Sequence, residues 1–524
     1  MTAFAARLSL VLTLGLLGLL TLPVALVPVP PVLDYPNHFA RLCLIAGELD
    51  KAPLRDFYEV DWSATSTNIA IDLIAALVGP SLGCETLARF LLAAAILAPA
   101  AGAVALHAAI FRGPHWWQLS FALLAWSSTA VAGFLNFQIA LGLALFAAAV
   151  DQVIRPRSHI LRLALRVVLG VPVLVCHICG SIFLGALLAG LDFGPASVAW
   201  RDPAAWLRRL ARAFAGALSG FGVPVAIFYM LAPVIPGAAN QAPATYGLKE
   251  KLVVIAAPFL TYDVAVDFLF VAGLLIVTWL AIRLGDLRVH AGVALAGAGC
   301  AALALIVPRD VLDGSLLDWR FAIMAAMMVT LAMRPEVAAP PAVAVATVLL
   351  AVLAIGRTAW IWRVWEARSA DVAAVERAIS AIPPGVALLP ARADDAGAAP
   401  VGRNVLLNLP ADLHYALLAI PRRGAFVPTL FAMPGQQPVR VRPGWVDRAA
   451  FSGHPAPLAM LTAEAAGSGA ALPAGVRYLR DWPRHFDYLL LLNAEDAGPL
   501  DPAIAVMLEP VADEGFARLW RIRR

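Results

Sequence analysis

The sequence predicts an α-helical polytopic membrane protein of about eleven transmembrane helices, followed by a small C-terminal α/β soluble domain. Three observations lead there. Only 14% of the 524 residues are charged and 61% are hydrophobic, with a mean hydropathy of +0.80, whereas soluble domains carry roughly 25% charged residues. Apolar runs near the roughly 20 residues that a bilayer core demands recur along the chain. Beyond about residue 360 the pattern changes to short apolar runs bounded by proline and glycine.

The first apolar run, about 8–29, follows Arg7 and ends in P-V-P-P instead of a small-residue cleavage site, so it reads as an uncleaved first helix. Later spans are expected at about 87–111, 116–133, 136–154, 160–178, 181–194, 214–233, 265–282, 289–307, 320–333 and 341–360. Lysine and arginine accumulate on the cytoplasmic side of a membrane. One alternation places every basic cluster there: Arg7; Arg112; Arg155, Arg157, Arg162 and Arg166; Arg201, Arg208, Arg209 and Arg212; Arg283 and Arg288; Arg334. It holds only if residues 68–82, which contain Asp72 and Gly79-Pro80, form a helix lying at the outer surface.

This topology gives a transmembrane domain at 1–360 with a large first outer loop at 30–86, and a soluble periplasmic α/β domain at 361–524. The N-terminus is then cytoplasmic, in a bacterial inner (plasma) membrane. Within the tail, 386–389, 425–432, 488–492 and 516–522 have strand length and turn residues at their ends, and 370–382 reads as a helix.

A net charge of +4 spread over many loops gives no basis for nucleic-acid binding. No Walker A loop, dinucleotide fingerprint, H-E-x-x-H or nucleophile elbow stands in a supporting context, and no metal-ligating motif is evident. The C-H-I-C run at Cys176–Cys179 lies in an apolar segment without a second ligand pair, and reads as small packing residues. Cys43 and Cys84 fall in the same outer loop, where an oxidising compartment would allow a disulfide.

The candidate site residues collect at one face. The first outer loop opens P-P-V-L-D-Y-P-N-H-F-A-R, with Asp34 directly after the first helix, then His38 and Arg41. A helix starting near Pro36 carries His38 and Arg41 on one side, and Asp34 there also reads as an N-cap. The same face receives Asn136 and Gln138 from G-F-L-N-F-Q, and His177 and Ser181 from the next outer turn. It also receives Arg309, Asp310, Asp313, Asp318 and Arg320 from P-R-D-V-L-D-G-S-L-L-D-W-R-F. The remaining outer loop holds Asn240, Tyr246, Lys249, Lys251, Tyr262 and Asp263. Lys249 and Lys251 read either as anion ligands or as solvated surface lysines. Buried ionisable groups in mid-span look few, and convergence of the outer-face residues on one cavity is the expectation.

A first outer loop that opens on an acid, many spans and a terminal domain outside resemble the GT-C superfamily of polyprenyl-phosphate-dependent glycosyltransferases. Protein O-mannosyltransferases and the lipid A aminoarabinose transferases are members. The resemblance implies a polyprenyl-phosphate-linked sugar as donor substrate, with membrane lipid and a glycan, lipid or protein acceptor as partners. It implies Asp34 as general base and His38 partly in place of the family's second acid, with His38 and Asn136 orienting acceptor or sugar. Arg320, or alternatively Arg309 or Lys249, would bind the leaving phosphate, with Arg41, His177 and Asp318 as further substrate ligands. The family's paired acid is absent, since Tyr35 follows Asp34, which leaves a divalent metal's part open. Two other classes stand beside the enzyme: a transporter or flippase of a lipid-linked solute, and a non-catalytic envelope assembly or scaffold protein.

Overall fold

The computed structural model describes residues 3–65, 67–195, 202–231, 247–310, 315–395, 397, 399–433, 435–450, 453–467, 472 and 474–524. The chain divides into two compact units. One comprises Met1–Leu26, Ser66–Ala70 and Leu91–Trp362; the other comprises Val27–Thr65, Ile71–Phe90 and Arg363–Arg524.

Among the described residues, seven helices are long and apolar enough to cross a membrane: Ser9–Leu26, Cys84–Phe111, Leu135–Ile154, His159–Cys176, Pro203–Met230, Val264–Arg283 and Pro340–Ser380. Shorter helices at Ile178–Phe193, Ala291–Ile306 and Leu317–Ala332 cover three more of the expected spans. Small residues let these helices approach closely, as is usual where lipid offers no hydrophobic drive for association. A Cβ on Gly142 would sit 2.4 Å from the Ala98 side chain, and one on Gly292 would sit 2.0 Å from the Gly190 carbonyl.

The span expected at 116–133 is instead broken into Trp116–Leu119, Ser120–Ala125 and Ser128–Val131. Backbone that leaves the helix inside a membrane protein needs partners from the protein itself, and it has them. Arg357 Nη2 donates to the Trp126 carbonyl at 2.7 Å. The Ser128 N–H donates to the Ala257 carbonyl at 3.3 Å, and Gln138 Nε2 adds side-chain bonds to the hydroxyls of Ser127 at 3.1 Å and Thr129 at 2.8 Å. Arg357 is itself neutralised by Asp267 at 3.3 Å.

Charge in this unit gathers mainly toward the helix ends, where it is paired. Arg166 bridges Asp151 at 2.9 Å and Asp192 at 2.7 Å, and Arg162 reaches the same two carboxylates at 3.1 and 2.8 Å. The side chains of Arg166 and Asp151 are only 5% and 1% exposed. Every group of this knot is paired, which is the condition under which buried charge is tolerated.

The second unit holds a five-stranded mixed sheet in the spatial order Leu508–Asp513, Ala517–Ile522, Tyr488–Leu492, Leu388–Arg392, Ala456–Pro457. The last three run parallel, and the first two join antiparallel. The expected strand at 488–492 is Tyr488–Leu492, the one at 516–522 begins at Ala517, and the one at 386–389 lies two residues later. Segment 425–432 is not a strand: it is buried and makes one isolated bridge, Ala387 to Phe426. Strand Leu508–Asp513 went unread because it is largely exposed and lacks an apolar run.

The first loop belongs to this unit together with the tail. Strand Tyr58–Val60 pairs antiparallel with Val439–Val441, and Phe57 and Phe426 pack on the Trp445 ring at 4.6 and 4.8 Å between centroids. Tyr58 is fully buried; its hydroxyl donates to the Val427 carbonyl at 3.1 Å and accepts from the Val427 N–H at 3.0 Å. A disulfide joins Cys43 to Cys84 in the same unit. The helix expected at 341–360 and the one at 370–382 are a single helix, Pro340–Ser380, of 41 residues.

Candidate active site

The helix Tyr35–Ile45 begins where L-D-Y-P-N-H predicts, with Pro36 in its first turn, where the missing N–H is harmless. Asp34 occupies the N-cap position but makes no side-chain cap. Its carboxylate, 15% exposed, instead faces His414 Nε2 at 3.4 Å, and the His414 side chain is 2% exposed. The carboxylate thus faces an imidazole from the tail and is not spent on the helix start.

One turn into the helix, Asn37 is fully buried. Its Oδ1 accepts from the Phe431 N–H at 2.9 Å. Its Nδ2 donates to the Thr429 carbonyl at 3.1 Å and lies 3.4 Å from His414 Nδ1. The Phe431 ring stands edge-on to the His414 ring at 5.0 Å and to the His38 ring at 6.5 Å. His454 completes the surroundings. Burial pushes its imidazole below the ordinary range, while Asp34 opposes the shift. A groove of about 410 Å3 is lined by His454, Arg392, Leu413 and Pro455 among others.

Arg41, expected as a substrate ligand, turns into the interior. Its guanidinium grips Asp72 with Nε to Oδ1 at 2.7 Å and Nη2 to Oδ2 at 3.2 Å, at 1% and 0% side-chain exposure. That buried bidentate pair is what ties the site-bearing helix to Ala70–Leu82.

In the first unit His177 and Arg320 meet. His177 starts the helix Ile178–Phe193, with Nδ1 accepting from the Cys179 N–H at 3.0 Å. Its Nε2 lies 2.6 Å from Arg320 Nη1. The Arg320 guanidinium sits over the rings of Phe134 and Phe137 at 4.5 and 5.1 Å, and Nη2 donates to the Ser315 carbonyl at 3.3 Å. Two aromatic faces and the Ser315 carbonyl therefore hold it in place. Asn136 Nδ2 donates to the Asn68 carbonyl at 2.7 Å.

Asp318 is fully buried and bound by Lys251 at 2.6 Å, and Lys251 also donates to the carbonyls of Val307 at 2.5 Å and Ala304 at 3.4 Å. That arrangement caps a helix end and engages the groups expected to meet substrate. Arg309 is half-buried, with its carbonyl accepting from the Leu317 N–H at 2.8 Å. The Lys249 side chain, with Asn240, Tyr246 and Asp313, lies outside the described residues.

Two residues that sequence reasoning did not single out, His414 and Asn37, shape the surroundings of Asp34. Asn37 sat inside the quoted motif. His414 carried no local signal, because its partner is reached only through folding.

The spans, the apolar helices and the sheet-bearing terminal region define a polytopic membrane protein. Among solved structures the chain is similar to ArnT from Cupriavidus metallidurans in the apo state, with 10% identity and a TM-score of 0.50, over 99% of this chain and 98% of that one. At that identity the likeness is one of fold. No family model matches the chain, and no curated protein does.

Proposed function

We propose that this protein is a membrane glycosyltransferase that moves a sugar from a polyprenyl-phosphate donor to an acceptor at the periplasmic face, with Asp34 as general base. The observation that carries the reading is the Asp34–His414 pair: a partly exposed carboxylate, not used as a helix cap, directly after the first membrane helix and facing a buried imidazole. The full-length likeness of fold to ArnT supports a transferase of the GT-C type.

In this reading the acceptor's hydroxyl or amine proton passes to Asp34 as the acceptor attacks the anomeric carbon. The carbon–oxygen bond to phosphate breaks, and the electron pair leaves with the polyprenyl phosphate. Arg320, pre-set by Phe134, Phe137 and the Ser315 carbonyl, offers a guanidinium suited to phosphate oxygens. His38 lines the packing around Phe431 and orients the acceptor side. The metal question stays with the donor set: among the described residues no group of three or more His, Cys, Asp or Glu is arranged to hold an ion.

The test is transfer from radiolabelled polyprenyl-phosphate sugars by the purified full chain in nanodiscs. Asp34→Asn is expected to lower transfer by about 10²–10⁴-fold while leaving the melting temperature unchanged. Retained turnover removes Asp34 from the chemistry. Vectorial movement of a lipid-linked solute without bond cleavage puts the transporter reading in its place. For the periplasmic location, Val446, which is 40% exposed, is replaced by cysteine. Labelling by an impermeant thiol reagent in spheroplasts is expected, and labelling only after lysis reverses the orientation.

A further inference from the structure

We infer that His414 is a positioning residue for Asp34, held as the neutral tautomer with its proton on Nε2, so that it donates to Asp34 Oδ1 and aims the second carboxylate oxygen at the acceptor. The chemistry rests on the transferase reading above; the tautomer does not.

The argument runs outward from the backbone. The Phe431 N–H points at Asn37 Oδ1 at 2.9 Å, and the Thr429 carbonyl takes an Nδ2 proton at 3.1 Å. An N–H needs the amide oxygen and a carbonyl needs the amide nitrogen, so these two contacts leave the Asn37 side chain one orientation. Its second Nδ2 proton then faces His414 Nδ1 at 3.4 Å. An amide nitrogen only donates, so Nδ1 must carry a lone pair, and a neutral imidazole that accepts at Nδ1 holds its proton at Nε2. That nitrogen is the one 3.4 Å from Asp34 Oδ1. The separation is long for a finished hydrogen bond, as is common before substrate closes a site.

Rigidity comes from packing. Asn37 is fully buried, His414 is 2% exposed at its side chain, and the Phe431 ring stands edge-on to the imidazole at 5.0 Å. Water is kept from the His414 edge of the pair, whereas Asp34 retains 15% exposure. Because Asn37 covers Nδ1, His414 has no route to pass a proton onward. In the transfer step it therefore keeps its proton throughout. The acceptor's proton goes to Asp34 Oδ2, the acceptor–carbon bond forms, and the phosphate leaves with the electron pair of the broken bond. His414 acts by holding and orienting the base.

The experiment uses the full chain in nanodiscs with 15N-labelled histidine, and the His414 signals are assigned by their loss in His414→Gln. At neutral pH the expected spectrum has a protonated Nε2 and an unprotonated Nδ1, and Asp34→Asn moves the Nε2 resonance. A proton on Nδ1, a doubly protonated ring, or an Nε2 signal indifferent to Asp34→Asn overturns the proposal. The second arm is transfer from a polyprenyl-phosphate sugar. His414→Ala is expected to lower kcat by about 10–100-fold, in the range seen when a supporting partner of a functional group is removed, with KM nearly constant. His414→Gln, whose amide can present an N–H at the Nε2 position, restores much of the loss. Equal loss in Ala and Gln variants that melt like the parent also overturns it. If the wild type transfers no sugar while the spectrum is as expected, the transferase reading fails and the positioning of Asp34 by His414 stands.

Discussion

Two carboxylate sites, one in each unit, are treated in opposite ways. In the first, Asp151 and Asp192 are saturated: each meets both Arg162 and Arg166, and Arg166 adds the Ser219 hydroxyl at 3.1 Å. In the second, Asp34 keeps part of its surface in solvent and faces one imidazole at 3.4 Å. Saturated, buried charge has nothing left to offer a substrate and serves architecture. A carboxylate that is held but not consumed retains an oxygen for chemistry. Pairing and exposure together, more than charge or burial alone, separate the two roles.

The widest gap is expected when the two kinds of site are cut in parallel. Asp34→Ala abolishes sugar transfer and leaves thermal unfolding of the detergent-solubilised chain in place. Arg166→Ala leaves Asp151 and Asp192 to share Arg162 alone, and removal of one partner from a buried ion pair is worth about 3–5 kcal/mol. Its expected outcome is a much lowered melting temperature and poor membrane accumulation. A stable Arg166→Ala protein would show that the knot is not structural.

Next in size is the Arg41–Asp72 pair, which sharpens the comparison because it sits on the same helix as Asp34. Arg41→Ala is expected to destabilise by about 3–5 kcal/mol. The double change Arg41→Met with Asp72→Leu should recover most of that, because apolar replacement of a buried pair is often neutral. If the recovered double variant also transfers sugar normally, Arg41 is confirmed as scaffold; recovered stability with lost turnover would return it to the site.

The smallest effect is expected at Tyr58. Tyr58→Phe leaves a buried N–H and carbonyl of Val427 without their partner, worth about 1–3 kcal/mol, read as a lower melting temperature. Burial pushes the Tyr58 phenol well above its ordinary value of 10.0. The unfolded chain ionises first as pH rises, so the stability from this group is complete below pH 10 and declines above it. Wild type should therefore lose stability over that alkaline window more steeply than Tyr58→Phe, and parallel curves would remove Tyr58 as the cause.

Much of this was legible in the residues. The helix start at Tyr35 follows from Pro36 and the preceding Asp34, and the strand Tyr488–Leu492 follows from a run of four leucines after a tyrosine between turn residues. Ten of the expected spans coincide with helices because hydropathy over some twenty residues is a local quantity. The broken segment at 116–133 escaped notice for the same reason. Its composition is apolar, and its departure from helix depends on Arg357 and Gln138 arriving from other elements.

Residue pattern alone was enough for the membrane class, the positions of most spans and several strands of the tail. These depend on transfer free energies and turn chemistry that each segment carries with it. Tertiary structure alone decided that the first loop folds with the tail, that Arg41 answers Asp72 and Lys251 answers Asp318, and that Asp34 faces His414. A side chain's partner is set by which distant segments pack against it, and neither spacing nor composition encodes that meeting.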